Sequence, residues 1–245
     1  MSENLDKAPS KESYYQPSCS SSNVIKEVSI DCVVFGLNNG ELEVLVVRHG
    51  EGISKGGWAL PGGFILVDED LDAAASRLLK DLTGLDNIYL EQLQAFGGVD
   101  RFPGERVVTI AYYALVRAED YNLIAGFTAS HVEWQKVSQR EHLIYDHDEI
   151  LEFGLGRLKH KVQHEPIGFN LLPEKFTLLQ LQELYEAILD VKLDKPNFRR
   201  KMTKMGLLVP CNEKQKDVPH RAAALYRFDK EIYEQLTKQG FSFEV

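Results

Sequence analysis

Apolar and polar residues alternate in a way that predicts strands in the first half of the chain. β-branched runs at residues 28–36 (VSIDCVVFG) and 42–48 (LEVLVVR) flank Asn38-Asn39-Gly40, which is a strong hairpin signal. Similar runs follow at 107–117 and 131–137. The pattern therefore predicts an antiparallel pair of strands within a sheet of mixed strands.

Helical periodicity interrupts these strands once. Apolar residues recur at helical spacing over 71–82, and Gly84 then takes the position of a C-cap. A short helix among strands predicts an α+β domain. A connecting helix is predicted over 147–162, although Gly154 and Gly156 weaken its helix propensity, and residues 165–176 have the Pro and Gly content of a linker.

The last third of the chain predicts two helices and a hairpin. Thr177 and Gln180 fit a capping box for a helix that ends near Leu189, while Asp194 and Pro196 start a second helix that Gly206 closes. Apolar segments at 207–209 and 225–228 then flank a polar loop at 210–222. Helix, turn, helix and hairpin is the order of a winged helix-turn-helix.

Length and composition set the outer bounds of this interpretation. A chain of 245 residues, 44% of them hydrophobic, exceeds the usual size of one domain and has ample material for a core. We predict a disordered leader over 1–23, a domain over 24–164, and a linker with a second domain over 165–245. No apolar run is long enough to cross a bilayer, the polar leader does not resemble a secretory signal, and the three scattered cysteines fit neither disulfides nor zinc. A cytoplasmic protein is expected.

Charge is divided unequally along the chain. Residues 191–230 hold eleven basic against four acidic residues, a net charge of +7, so that the remainder of a chain with net charge −9 carries −16. This division predicts a basic module for a polyanion joined to an acidic domain with another task. A solvated basic surface is the simpler alternative, and charge alone does not exclude it.

A known motif begins at Gly63 and includes the predicted helix. The segment resembles the Nudix box, G-x5-E-x7-R-E-U-x-E-E-x-G-U with U aliphatic, in the positions of Gly63, Glu69, Arg77, Leu79, Gly84 and Leu85. The resemblance implies a Nudix fold. In Nudix hydrolases, helix carboxylates at i, i+3 and i+4 hold Mg²⁺ against a pyrophosphate.

The helix departs from that box at the residues that carry the chemistry. Leu78, Asp81 and Leu82 stand where the three carboxylates belong. We therefore expect no catalytic residue, no metal site and no cofactor, with Glu69 and Asp81 as vestiges able at most to hold a metal weakly.

The loop at 96–106 (FGGVDRFPGER) is the candidate effector site. Arginine forks suit phosphates or carboxylates, and mixed Asp, Glu and Arg suit sugar hydroxyls. A salt-bridged surface loop is the alternative. The candidate effector-binding residues are Arg48, Asp100, Arg101, Glu105 and Arg106.

The second helix of the basic module is the candidate DNA-binding element. Phe198, Met202 and Met205 fall on one side, which should face the core, and cationic and amide side chains fall on the other. A helical protein-interaction domain with a basic face is the alternative. The candidate DNA-binding residues are Asn197, Arg199, Arg200, Lys201 and Lys204 on the helix and His220 and Arg221 in the wing.

A degraded Nudix box before a basic winged helix resembles the bacterial Nudix-related transcriptional regulators, over roughly residues 28–228. The resemblance implies a homodimer that binds operator DNA and responds to a small molecule, either ADP-ribose or a sugar such as arabinose. The stretch DRFPGERVVTIAYYAL is more similar to the sugar-responsive branch. The alternatives are an active Nudix hydrolase with a dimerising C-terminal domain and a protein-binding scaffold.

Overall fold

The computed structural model describes residues 24–38, 40–126, 128–216 and 222–245. The predicted leader and the wing residues His220 and Arg221 lie outside these ranges. The chain divides into two compact units, one formed by the residues up to Gly36 with Glu43–Glu152, the other by Leu37–Leu42 with Phe153–Val245.

The first unit is built on a seven-stranded sheet. Its strands are β1 (Val24–Asn38), β2 (Glu41–His49), β3 (Trp58–Ala59), β4 (Gly62–Leu66), β5 (Glu91–Phe96), β6 (Val108–Arg117) and β7 (Ala129–Lys136). Their order is β3-β2-β1-β6-β5, and β4 also pairs with β1 and β7 with β2. The predicted hairpin strands are hydrogen-bonded neighbours, and the predicted α+β class is confirmed.

Three strands carry too weak a pattern to be predicted. β3 has only two residues, and β4 opens with two glycines, a residue type that weakens strands. β5 buries only Leu93 and Phe96 among polar neighbours. By contrast, β2 buries every residue from Leu42 to Val47, as expected of a strand covered on both faces.

Helix α1 (Leu71–Thr83) is the predicted Nudix-type helix. The Asp70 side chain accepts the Ala73 N–H at 2.8 Å, and Gly84 takes the left-handed conformation at φ 78° that ends the helix. Leu78 and Leu79 are buried in the core, and Leu82 packs against it. Both leucines of the altered box are therefore part of the hydrophobic core.

Helix α2 (His147–His164) begins in the first unit and ends in the second. It confirms the predicted helix in spite of Gly154 and Gly156. After it, the predicted linker contains a short 3₁₀ helix, Pro166–Leu171.

The second unit is a winged helix-turn-helix, as predicted. It contains α3 (Leu178–Leu189), α4 (Lys195–Lys204), β8 (Leu208–Lys214), β9 (Ala224–Phe228) and α5 (Lys230–Lys238). Thr177 and Gln180 form the expected capping box, and the Asp194 side chain caps α4.

One expectation for the second unit was wrong, and one helix was not predicted. β8 extends to Lys214 into the predicted loop, because pairing with β9 satisfies its backbone without a buried face. Helix α5 was missed although Ile232, Tyr233 and Leu236 recur at helical spacing. Within the described ranges, no helix is both long and apolar enough to cross a membrane.

Candidate functional site

The altered Nudix box is organised around an ion pair. Glu69 accepts the Leu66 N–H at 2.8 Å, and it accepts Nε and Nη2 of Arg77 at 2.8 Å and 2.5 Å. The Arg77 hydrogen bonds lower the pKa of Glu69. Asp81 lies beside the pair, with Oδ2 3.8 Å from Arg77 Nη1 and its side chain 57% exposed. Glu69 is thus already committed to Arg77.

The donor set at this helix does not fit the divalent cation of Nudix hydrolases. Two of the three carboxylate positions are Leu78 and Leu82, whose side chains face the core and offer no oxygen. In the part of the chain that the structure describes, no group of three or more His, Cys, Asp or Glu side chains is placed to hold a metal ion.

The loop after β5 is ordered by its own arginine. Arg106 donates Nη1 to the Gly98 and Val107 carbonyls at 3.3 Å and 3.2 Å, and Nη2 to the Gly97 carbonyl at 3.0 Å. Gly104 turns the chain at φ 77°, in the left-handed region that favours glycine. Arg106 therefore fixes the backbone of the candidate effector loop.

Arg101 occupies a different environment from the one expected of a loop arginine. Its side chain is only 4% exposed and is shared between two carboxylates. Nε and Nη2 each lie 2.8 Å from an oxygen of Asp146, and Nη2 also lies 3.0 Å from Asp31 Oδ2. Arg101 is thus a buried clamp between β1 and the start of α2.

His147 completes this polar cluster. Its Nδ1 accepts the Leu60 N–H at 3.0 Å, which leaves the proton on Nε2, 3.5 Å from Asp31 Oδ1. Burial lowers the pKa of His147, so the ring is neutral at pH 7. Asp31, Asp146 and His147 were not among the predicted site residues, although a charge inside the apolar run of β1 was a visible signal.

Two hollows border the cluster. A narrow one has a volume of only about 20 Å³ and lies beside Asp31, Arg101 and His147. A wider, open cleft has a volume of about 800 Å³, and its lining includes Asp100, Arg101, Asp146 and Glu149.

Among the predicted effector residues, the structure brings only Asp100 and Arg101 to this open cleft. Arg48 lies elsewhere, with Nε donating to the Gly56 carbonyl at 3.0 Å and the guanidinium carbon 5.8 Å from the centre of the Trp58 ring. Glu105 and Arg106 belong to the same loop as Asp100 but do not line the cleft.

Helix α4 separates an apolar from a basic side. Phe198 and Met202 are buried, as predicted, and Met205 is the half-buried C-cap. The exposed candidates are Asn197, Arg200, Lys201 and Lys204, whereas Arg199 is half-buried. Arg200 donates Nη2 to Asn197 Oδ1 at 2.8 Å. Arginine and asparagine side chains of this kind supply the donors and acceptors that base edges require.

The turn between α3 and α4 is held by one carboxylate. Glu186 accepts Lys192 Nζ at 2.9 Å, Gln182 Nε2 at 2.8 Å and the Leu193 N–H at 3.1 Å. These hydrogen bonds, that of Lys192 first, lower the pKa of Glu186 from 4.5 to about 2. The carboxylate therefore fixes the angle at which α4 is presented.

This carboxylate predicts a pH-dependent contribution to stability. Because the pKa of Glu186 is lower in the folded than in the unfolded protein, its ionised form stabilises the fold. This contribution is fully present at pH values above the unfolded-state pKa and is lost as the pH falls toward about 2. Glu186→Gln should therefore lower the thermal midpoint at about pH 7, and this difference from the wild type should disappear near about pH 2. Glu183→Gln, at an exposed position of the same helix, is the control. A deficit in Glu186→Gln that persists in acid would contradict this role.

Two protein families match the chain in sequence order. The NUDIX domain matches residues 26–153, and the NrtR DNA-binding winged helix domain matches residues 168–228. A protein of Acinetobacter baylyi named "ADPR responsive transcriptional repressor NtrR" is 35% identical over 211 residues, which cover 84% of this chain and 84% of that protein.

Solved structures give the same picture. Crystalline NrtR from Shewanella oneidensis, complexed with a 27mer DNA, is 28% identical with a TM-score of 0.67, covering 88% of this chain and 97% of its own. The NUDIX domain of that protein, complexed with ADP ribose, is 29% identical with a TM-score of 0.51, covering 59% and 94%. None of these proteins is named for arabinose, so the preference for the sugar-responsive branch finds no support.

Proposed function

Because the chain belongs to the NrtR-type family, in which a Nudix domain precedes a C-terminal winged-helix DNA-binding domain, we propose that it is a transcriptional repressor whose operator affinity is altered by ADP-ribose or a closely similar nucleotide. The observation that carries the proposal is the exposed basic side of α4 within a winged helix. The proposed DNA contacts on the exposed side of α4 are Asn197, Arg200, Lys201 and Lys204. Further proposed contacts are Arg199, at the margin of that side, and His220 and Arg221 in the predicted wing.

The test of DNA binding is selection from random duplexes. The full chain should enrich a defined sequence, and log Kd for that duplex should rise linearly with log salt, because several phosphates are neutralised at about 0.9 counterions each. Failure to enrich any sequence would contradict the proposal.

For the effector, the open cleft supports a ligand with both anionic groups and hydroxyls. Arg101 supplies a cation, and the carboxylates of Asp100 and Glu149 supply acceptors for ribose hydroxyls. Arg106 is proposed to act by ordering the loop, while Arg48 and Glu105 stay predictions that this arrangement does not bring to the cleft. Calorimetry with ADP-ribose, and with arabinose as the comparison, tests this choice.

We propose further that the Nudix domain does not hydrolyse its ligand. With Leu78 in the core and Leu82 packed against it, Asp81 is the one carboxylate at the three metal-ligand positions of the box, and it is largely exposed. Asp81→Ala should therefore change the Kd for ADP-ribose by less than about twofold, as expected for an exposed charge. The alternative, an active hydrolase with a dimerising tail, predicts instead that ADP-ribose is consumed in Mg²⁺ and that Asp81→Ala stops it.

The remaining expectations are proposals as well. We place the functional boundary of the two domains at 164–165, after a leader at 1–23. We also propose a homodimer, since operators of such regulators commonly share the two-fold symmetry of the protein, and a cytoplasmic location with the DNA.

A further inference from the structure

One edge of the Arg101 guanidinium is fully used inside the protein. Nε and Nη2 form a fork on the two oxygens of Asp146, both at 2.8 Å, and Nη2 reaches Asp31 at 3.0 Å. Paired hydrogen bonds of this geometry are strong and directional. They hold Arg101 against Asp146 as long as no other anion competes for it.

The other edge of the same side chain is not used. Nη1 of Arg101 makes no hydrogen bond to any residue in the described ranges, and Arg101 lines the open cleft. A guanidinium nitrogen carries two N–H donors suited to a phosphate or carboxylate oxygen. A ligand can therefore reach Arg101 through Nη1 before the Nε and Nη2 contacts to Asp146 are broken, so that two anions act on one guanidinium.

The residue that Arg101 holds is part of the start of α2. Asp146 directly precedes the helix, and its carbonyl accepts the Ile150 N–H at 3.1 Å. The preceding residue, Tyr145, has φ 60° and is hydrogen-bonded through its hydroxyl to Ser54. The side-chain contacts of Tyr145 and Asp146 thus hold the start of α2 in place. The same helix continues to His164 in the second unit.

The charges of the cluster make it sensitive to a further anion. Asp31 and Asp146 face a single cation, Arg101, while His147 is neutral because burial lowers its pKa. A phosphate at Nη1 adds negative charge close to Asp146 and draws on the same guanidinium. The ligand and Asp146 consequently compete for Arg101.

We infer that Arg101 couples the effector site to α2: a phosphate of the effector binds at Nη1, weakens the Arg101–Asp146 pair and loosens the first turn of the helix. The inference rests on the proposed function, because it requires an anionic effector that alters DNA binding. It adds two roles to that proposal: Arg101 binds the anionic group of the effector, and Asp146 transmits the effect to α2.

The test compares Asp146→Asn with Glu152→Gln, which changes an exposed carboxylate of α2 that pairs with Arg140 and does not line the cleft. For each full-length protein, the Kd for the selected duplex is measured with and without saturating ADP-ribose, and the Kd for ADP-ribose is measured by calorimetry. The wild type should show a ratio of the two DNA affinities of about 5–150-fold, the usual range of coupling between sites.

Asp146→Asn should bring this ratio to within about twofold of one, because the pair that carries the coupling is lost. It should also tighten ADP-ribose binding, because the anion that competes for Arg101 is removed. Glu152→Gln should keep the wild-type ratio. A further readout needs no variant: ADP-ribose should accelerate hydrogen exchange in residues 147–152 of the wild type.

The outcomes separate the two proposals. If ADP-ribose does not bind the wild type, the proposed effector is wrong, and the inference falls with it. If ADP-ribose binds and shifts the DNA affinity, but Asp146→Asn keeps the wild-type ratio or exchange in 147–152 is unchanged, only the inference is overturned.

Discussion

Replacing Arg101 with methionine is expected to lower the free energy of unfolding by about 3–5 kcal/mol, the range found when one partner of a buried ion pair is removed. The methylene stem keeps much of its packing, but Asp31 and Asp146 lose the cation they share. Asp31 is only 7% exposed and cannot recover full hydration. Urea denaturation at neutral pH measures the loss.

Arg106→Met is the matched control for this substitution. The same loop carries both arginines, but Arg106 is exposed and donates to backbone carbonyls, so its loss should cost about 1 kcal/mol or less. If both substitutions lowered the free energy of unfolding by the same amount, the Asp31–Arg101–Asp146 cluster would have to be accessible to water.

Replacing Arg200 with alanine should weaken binding to the selected duplex by about 1–3 kcal/mol, or roughly 5–150-fold, if the side chain hydrogen-bonds a base. Arg200 lies on the exposed side of α4, with its guanidinium oriented by Asn197. Fluorescence anisotropy on the selected duplex and on a scrambled duplex separates base recognition from phosphate contact, because only the former should change the ratio of the two affinities.

Lys55→Ala serves as the control for loss of a surface cation, since Lys55 is exposed in the first unit, away from the winged helix in the sequence. Its affinity for both duplexes should stay within about twofold of the wild type. An Arg200→Ala protein that still distinguishes the two duplexes as the wild type does would contradict the assignment of α4 as the recognition helix.

Local patterns were sufficient for most of the fold. The hairpin before Glu41, the capped α1 and the capping box of α3 each depend on residues close in sequence, and each formed as expected. The elements that were missed lack such patterns, as in two-residue β3 or glycine-rich β4, or had the pattern and were overlooked, as in α5.

The buried cluster depended on distant partners and could not be predicted in the same way. Arg101 pairs with Asp31 across 70 residues and with Asp146 across 45, and no local spacing connects them. The local sequence therefore predicts a ligand contact or a salt-bridged surface residue at Arg101, and neither describes a buried ion-pair cluster. The structure instead uses Nε and Nη2 inside the protein, while Arg101 also lines the open cleft.

The altered Nudix box acquires a physical meaning from its surroundings. Glu69 and Arg77 are retained as an ion pair that ties α1 to the residues following β4, and Leu78 belongs to the core. We therefore propose that the box contributes to the scaffold of the domain and does not support hydrolysis, which depends on a carboxylate face.

The most direct test of the account is a single incubation of the full chain with the selected duplex, ADP-ribose and Mg²⁺. The affinity for DNA is followed by anisotropy, and the nucleotide is followed by chromatography of the same sample. We predict that the affinity for DNA changes and that ADP-ribose is recovered intact. Consumption of ADP-ribose with no change in DNA binding would contradict the account.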